Sequence, residues 1–160
     1  MKITKQQGQT ATILEFGSGV GKYVKFYREN GITTTGMDGL ENVEKLSNGL
    51  VQSTDFTTEL PPEIRPAEVV LCLEVGEHIP PQKTDLLLNN LVSKTQKVLI
   101  LSWAVPGQGG DGHINEMPNR QVIEMVERRG LKFDRNVSEH IRHISTLTWF
   151  KNTILVFRKY

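Results

Sequence analysis

Apolar residues in this chain fall into short runs that stop at glycine or acid, separated by longer stretches with helical spacing. Thr12-Ile13-Leu14-Glu15-Phe16 ends at the cluster Gly17-Ser18-Gly19-Val20-Gly21, which predicts a buried strand entering a tight turn. Val24, Phe26 and Tyr27 then give an amphipathic helix stopped by Asn30-Gly31. Ile32 to Met37 reads as a second strand with Asp38-Gly39 at its end. Val43 to Leu46 reads as a short helix, and Leu50 to Gln52 as a short third strand. Ala67 to Leu73 is nearly all apolar, the mark of a strand buried on both faces. Leu86, Leu87, Leu88, Leu91 and Val92 form the stripe of the next helix, and Lys97 to Trp103 another buried strand. A loop with glycine at 107, 109, 110 and 112 precedes a helix over about Asn119 to Arg129, closed by Gly130. Leu131-Lys132-Phe133 and Thr153 to Phe157 read as the last strands, and Val137 to Asn152 is ambiguous between helix and loop.

Strands alternating with helices imply right-handed crossovers and a mostly parallel sheet covered on both sides. Ligands of such sheets sit at the carboxyl ends of the strands. Glu15, Asp38, Asp55, Glu74 and the loop after Trp103 all fall at or just after a strand end, so a site is expected there.

Size and composition narrow the setting. The 160 residues suit one domain, and 38% hydrophobic with 23% charged residues is ordinary for a globular protein. Nineteen basic against eighteen acidic residues give a net charge of +1, which calls for no polyanionic partner. The lone Cys72 cannot form an internal disulfide and reads as inert core, consistent with a reducing, cytoplasmic setting. Met1 to Gln9 lacks the apolar core of a signal peptide, and the longest apolar runs are too short to span a bilayer, so no membrane association is expected.

A glycine-rich strand-to-helix turn brings backbone close to a ligand, and its spacing discriminates among ligands. The dinucleotide fingerprint needs glycine at 22, where Lys22 stands. A phosphate-binding loop needs glycine at 16 and a hydroxyl residue at 23, where Phe16 and Tyr23 stand. What remains is E-x-G-x-G-x-G over Glu15 to Gly21. Here the chain resembles the class I S-adenosylmethionine-dependent methyltransferases, in motif order from about Thr12 to Arg158. The resemblance implies an α/β fold with a single doubly wound, mostly parallel seven-stranded sheet, helices on both faces and an antiparallel last strand. It also implies a cofactor cradle. Gly17, Ser18, Gly19 and Gly21 would line the methionine part, and Glu15 would hold its amino group. Asp38 would take the ribose hydroxyls, which also makes chemical sense, since one carboxylate accepts from two of them. Asp55 and Phe56 would read and pack against adenine, with Leu73 and Glu74 shaping the pocket from the fourth strand.

The densest polar cluster is Glu74-Val75-Gly76-Glu77-His78, with His113 in the loop after the fifth strand. One reading makes the cluster a pocket wall. The other takes Glu74, Glu77, His78 and His113 as two carboxylates and two imidazoles able to hold a divalent ion, with magnesium, manganese or cobalt all compatible. That set looks like the metal site of the small-RNA 2′-O-methyltransferases and the quinone-biosynthesis O-methyltransferases, where the metal lowers the pKa of the acceptor hydroxyl. Without a metal, His113 is the candidate general base, with Glu77 and His78 beside it. The loop around it reads as a mobile substrate gate, and Trp103 as either an acceptor platform or core packing. His140 and His143 read as a solvated face.

Only about eleven residues precede the first strand, so the domain, taken as 1–160, lacks the N-terminal cap helices usual in the class. Either the two late loops or a partner chain, another protein or a second copy, would then cover the acceptor side. The acceptor is undetermined: a hydroxyl or amine, with a protein side chain, a glycan or an RNA end all compatible with an open pocket. An inactive cofactor-binding subunit that supports a partner is the alternative function. A nicotinamide-dependent oxidoreductase is disfavoured by Lys22.

Overall fold

The computed structural model describes residues 11–160; the readings made for Met1 to Gln9 and for the absence of cap helices fall outside or at the edge of that range. The strands are β1 (Thr12–Phe16), β2 (Thr33–Asp38), β3 (Val51–Ser53), β4 (Ala67–Cys72), β5 (Thr95–Leu101), β6 (Lys132–Phe133) and β7 (Leu155–Arg158). They form one sheet in the order β3-β2-β1-β4-β5-β7-β6. The pairs from β3 through β5 are parallel, and β7 runs antiparallel to both β5 and β6. The order reverses direction between β1 and β4, which places the switch-point crevice beside the glycine turn. The helices are α1 (Lys22–Glu29), α2 (Val43–Leu46), α3 (Thr84–Lys94), α4 (Asn119–Glu127), α5 (Arg135–Ile144) and α6 (Phe150–Thr153). None is long and apolar enough to cross a membrane.

Strand alternation splits the core in two. Leu14 and Phe16 of β1 pack with Val70, Leu99 and Phe157 against Leu87, Leu88 and Leu91 of α3 and Val122 and Val126 of α4. On the opposite side a smaller cluster joins Val24, Val43 and Val51. The sequence stripe of α1 is narrower than its residue types suggest: Val24 alone is buried, whereas Phe26 is exposed and Tyr27 half-buried. Cys72 is a buried free thiol, and burial pushes its pKa up, so it is inert.

The ambiguous stretch from Val137 to Asn152 resolves into α5, a loop and α6. Its pattern is weak because α5 lies on the sheet edge and buries only Ser138 completely. Polar bonds anchor it instead. Asp134 caps the helix by accepting from Val137 N at 3.1 Å, and Arg158 Nε donates to the same carboxylate at 2.6 Å. Ser138 Oγ donates to Asp134 O at 2.7 Å and accepts from the β7 amide of Val156 at 2.9 Å. Ser138→Ala therefore strands a buried N–H and should cost roughly 1–3 kcal/mol in urea denaturation. A loss below about 0.5 kcal/mol would show that the anchor is not that bond.

Candidate active site

The glycine turn is welded to the end of β2. Gly17 N and Ser18 N both donate to Met37 O, at 2.8 and 3.0 Å, and Gly21 N donates to Ser18 O at 2.9 Å. Gly19 N donates to Asp38 Oδ2 at 2.7 Å. These four amides are thus spent inside the fold and are withdrawn from any phosphate at the turn. Gly17 takes φ +77°, and a Cβ there would fall 2.2 Å from Val75 Cγ2, so only glycine fits between β1 and the cluster after β4. Gly21, also left-handed, caps α1.

Beneath the turn, Glu15 is buried, and its Oε2 has no hydrogen-bond partner among the described residues. Burial, reinforced by the charge of Asp38, pushes its carboxyl from 4.5 up to about 7. A buried acceptor left unsatisfied beside an open turn is a seat for a donor, preferably a cation. Asp38 takes Gly19 N and Leu40 N, one on each oxygen. A carboxylate accepts about four bonds, so two positions remain. Asp55 is exposed and accepts from both Thr57 N and Thr57 Oγ1 through Oδ1, which holds its carboxyl below the usual range. Phe56 is buried against Phe16, ring centroids 5.1 Å apart, so its packing partner is core. Leu73, half-buried, follows β4 directly.

Glu74 sits at φ +55°, a conformation rare for a residue with a side chain. Ser102 holds it there: the hydroxyl accepts from Glu74 N at 2.8 Å and donates to Glu74 Oε1 at 2.7 Å. Gln108 Nε2 donates to the other oxygen at 3.3 Å. Both Glu74 oxygens thus accept a bond from within the fold.

Those neighbours do converge. Glu77, His78 and His113 each place one ligand atom within 4.8 Å of the others. Both carboxylate oxygens of the fully buried Glu77 lack partners among the described residues. Burial, with the charge of Glu74 added, pushes its carboxyl above the usual range. His78 Nδ1 lies 3.1 Å from the Gly112 carbonyl and His113 Nδ1 3.3 Å from Glu116 Oε1. A carbonyl and an ionised carboxylate only accept, so both histidines donate from Nδ1. The two rings meet edge to face at 5.0 Å.

The glycine loop is tied down rather than slack. Glu116 accepts from Gly107 N and Gly109 N, both at 2.7 Å. The Glu77 carbonyl accepts from Ile114 N and Asn115 N, at 2.9 and 3.0 Å. Gly110 is required because a Cβ there would lie 2.3 Å from His113 Nε2. The glycines supply turns that lay the loop over the imidazole. Trp103 does not face an acceptor: it is fully buried, its Nε1 donates to Asn115 O at 2.6 Å, and its ring packs on Gly76. The aromatic in the open cleft is Trp149, in the segment the sequence left ambiguous. Ser102, Gln108 and Glu116 were also missed. Ser102 obeys the rule that polar residues at strand ends matter, but sits inside the apolar run Lys97 to Trp103.

A family model described as a methyltransferase domain matches residues 2–136. The chain belongs to that methyltransferase family. Solved structures agree on the fold. One is magnesium protoporphyrin IX methyltransferase (ChlM) from Synechocystis PCC 6803 with bound SAH: TM-score 0.73, 18% identity, covering 94% of this chain and 75% of that one. Another is the sugar N-methyltransferase KedS8 from Streptoalloteichus sp ATCC 53650: TM-score 0.71, 11% identity, 94% and 80% covered. The small RNA methyltransferase HEN1 gives a TM-score of 0.70 at 15% identity over 96% of this chain and 23% of that one. No curated protein sequence matches the chain. At such identities the structural likeness establishes the seven-stranded class I methyltransferase fold, as the motif order implied.

The buried Glu15 has a measurable consequence without ligand. Its folded-state pKa, about 7, is raised above the ordinary 4.5, so its contribution to stability is complete at low pH and is lost as pH rises through 7. Glu15→Gln removes that loss, and should exceed wild type in stability by on the order of 3 kcal/mol at pH 8 and by little at pH 5. Equal stabilities across that range, measured by urea denaturation, would refute the buried charge.

Proposed function

We propose that this methyltransferase domain binds S-adenosylmethionine across the crevice from Glu15 to Leu73 and transfers its methyl group to a hydroxyl or amine. The observation that carries this reading is the pairing of a spent N–H turn with an orphaned buried carboxylate. The first withdraws four donors that a phosphate would need, and the second fits an ammonium such as that of the cofactor's methionine part. Glu15 then holds the amino group, the backbone of Gly17 to Gly19 lies along the methionine part, and the free positions of Asp38 take the ribose hydroxyls. Asp55 keeps one oxygen for the adenine edge, with Leu73 and Glu74 as walls. Phe56 supports the pocket from behind, through Phe16. The bound cofactor supplies a sulfonium methyl: the acceptor's lone pair bonds the methyl carbon as the carbon–sulfur bond breaks, its electron pair leaving with sulfur as S-adenosylhomocysteine.

The chain's residues align the acceptor and take its proton. Without a metal, His113 is the base, and Glu116 orients the ring and stabilises the imidazolium that forms. Glu77 and His78 flank it. The same three residues fit a divalent ion, magnesium or manganese, because each brings one ligand atom within 4.8 Å of the others and neither Glu77 oxygen has a partner among the described residues. Each imidazole is also oriented from behind, by Gly112 O or Glu116, as metal-ligating histidines are. When bound, the ion would acidify an acceptor hydroxyl. Glu74 accepts from Ser102 and Gln108 and is not among the three residues whose ligand atoms converge. Nothing in the site favours the inactive-subunit alternative.

S-adenosylhomocysteine at a hundredfold excess over Kd should raise Tm by about 5–10 °C, and NAD should not. Stabilisation by NAD alone would overturn the cofactor assignment. With S-adenosylhomocysteine bound, stoichiometric Mn²⁺ should lose its free-ion electron paramagnetic resonance signal. Glu77→Gln and His113→Ala should restore that signal, and Glu74→Gln should not; an unchanged wild-type signal rejects the metal.

A further inference from the structure

Beside Glu74 and His113 lies an open cleft of about 560 Å³ whose floor and far wall are the loop after β5 and the start of α6. Its lining includes Glu74, Val105, Pro106, Thr148, Trp149 and Asn152 and, among the described residues, no lysine or arginine. Trp149 is 41% exposed although it is a large apolar side chain at a concave site. It is also held firmly. Its carbonyl accepts from Asn152 N at 3.1 Å and from Thr153 Oγ1 at 2.9 Å, and its ring meets Phe150 edge to face at 6.0 Å. These bonds anchor its backbone, and an exposed indole lining the cleft is a ready platform for a ring.

The remaining lining selects the kind of ring. An anionic acceptor would meet Glu74 with no cation in the lining to offset it. A cationic amine would meet Glu74, but would leave the Asn152 carboxamide and the Thr148 hydroxyl without a partner. A flat aromatic would find apolar cover from Trp149, Val105 and Pro106, but would leave the Asn152 carboxamide and the Thr148 hydroxyl without a partner. A saturated ring with hydroxyls at its edge satisfies every group. Its C–H face lies on the indole, and its hydroxyls meet the amide of Asn152 and the hydroxyl of Thr148, neither of which has a side-chain partner among the described residues. We infer that the acceptor of this domain is a sugar ring, bound with one face on Trp149 and its hydroxyls toward Asn152 and Thr148, so that one hydroxyl or amino substituent faces His113. This rests on the proposed methyl transfer and names its acceptor class.

Tryptophan fluorescence tests it on the intact protein, because Trp103 is fully buried and Trp149 is the indole that acrylamide can reach. With S-adenosylhomocysteine saturating, so that the cofactor crevice is filled, the protein is titrated with methyl β-glucopyranoside, uridine, catechol and butylamine. The inference predicts saturable protection from quenching by the glucoside or the nucleoside, whichever ring is read, and none by catechol or butylamine. Asn152→Ala should weaken protection roughly tenfold, read as an apparent Kd. Trp149→Ala, whose binding is read by calorimetry, should lose the probe, while Trp149→Phe keeps it within about fivefold. Stabilisation by S-adenosylhomocysteine without protection by either sugar probe, or with protection by catechol or butylamine instead, overturns the acceptor class alone. Absence of S-adenosylhomocysteine binding overturns the proposed function itself.

Discussion

The hydrogen bond from Gly19 N–H to the Asp38 carboxylate, with the paired bonds from Gly17 and Ser18 to Met37 O, fixes where everything else in the site can stand. It ties the loop leaving β1 to the last residues of β2, so those amides are withdrawn from any phosphate, and the acid that closes β2 is pulled to the lip of the crevice. Gly17 then has to pass within contact of Val75, which sets the height of the cluster after β4 relative to the turn. One local constraint thus couples the cofactor side to the acceptor side.

The second half of the site is built on strain and on buried charge. Glu74 is held in a left-handed conformation by a single hydroxyl, Ser102, and this turn of the chain aims Glu77 inward and His78 outward. Glu15 and Glu77 are both buried carboxyls with unpaired oxygens. Such groups destabilise the fold unless something binds them, and natural proteins keep them at functional sites. Here they lie on the two sides of the proposed reaction, one toward the methyl donor and one toward the acceptor.

How much of this could be read in advance depended on whether the signal was local. Strand ends announce themselves by a run of apolar residues and a stop, so Glu15, Asp38 and the Glu74–His78 cluster were legible, and the sheet with them. The two tryptophans show the opposite case. Trp103 follows an apolar run and Trp149 a polar one, but their exposure is set by what packs on them: Gly76 covers the first, and the second stands at the head of a single-turn helix. The α5 segment was unreadable because it is held by Asp134, Ser138 and Arg158 rather than by an apolar stripe. Four glycines around His113 suggested slack, whereas Glu116, a residue with no local signature, pins the loop over the imidazole.

The central claim is that the buried carboxyl of Glu15 receives the ammonium of the methyl donor. Calorimetry of S-adenosylhomocysteine binding at pH 7, repeated in buffers of different ionisation enthalpy, counts the protons exchanged on binding. Because the free carboxyl titrates at about 7 and an ammonium beside it holds it ionised, binding should release about half a proton, and Glu15→Gln should abolish that release. Tight binding with no proton release, or with the same release in Glu15→Gln, would contradict the account.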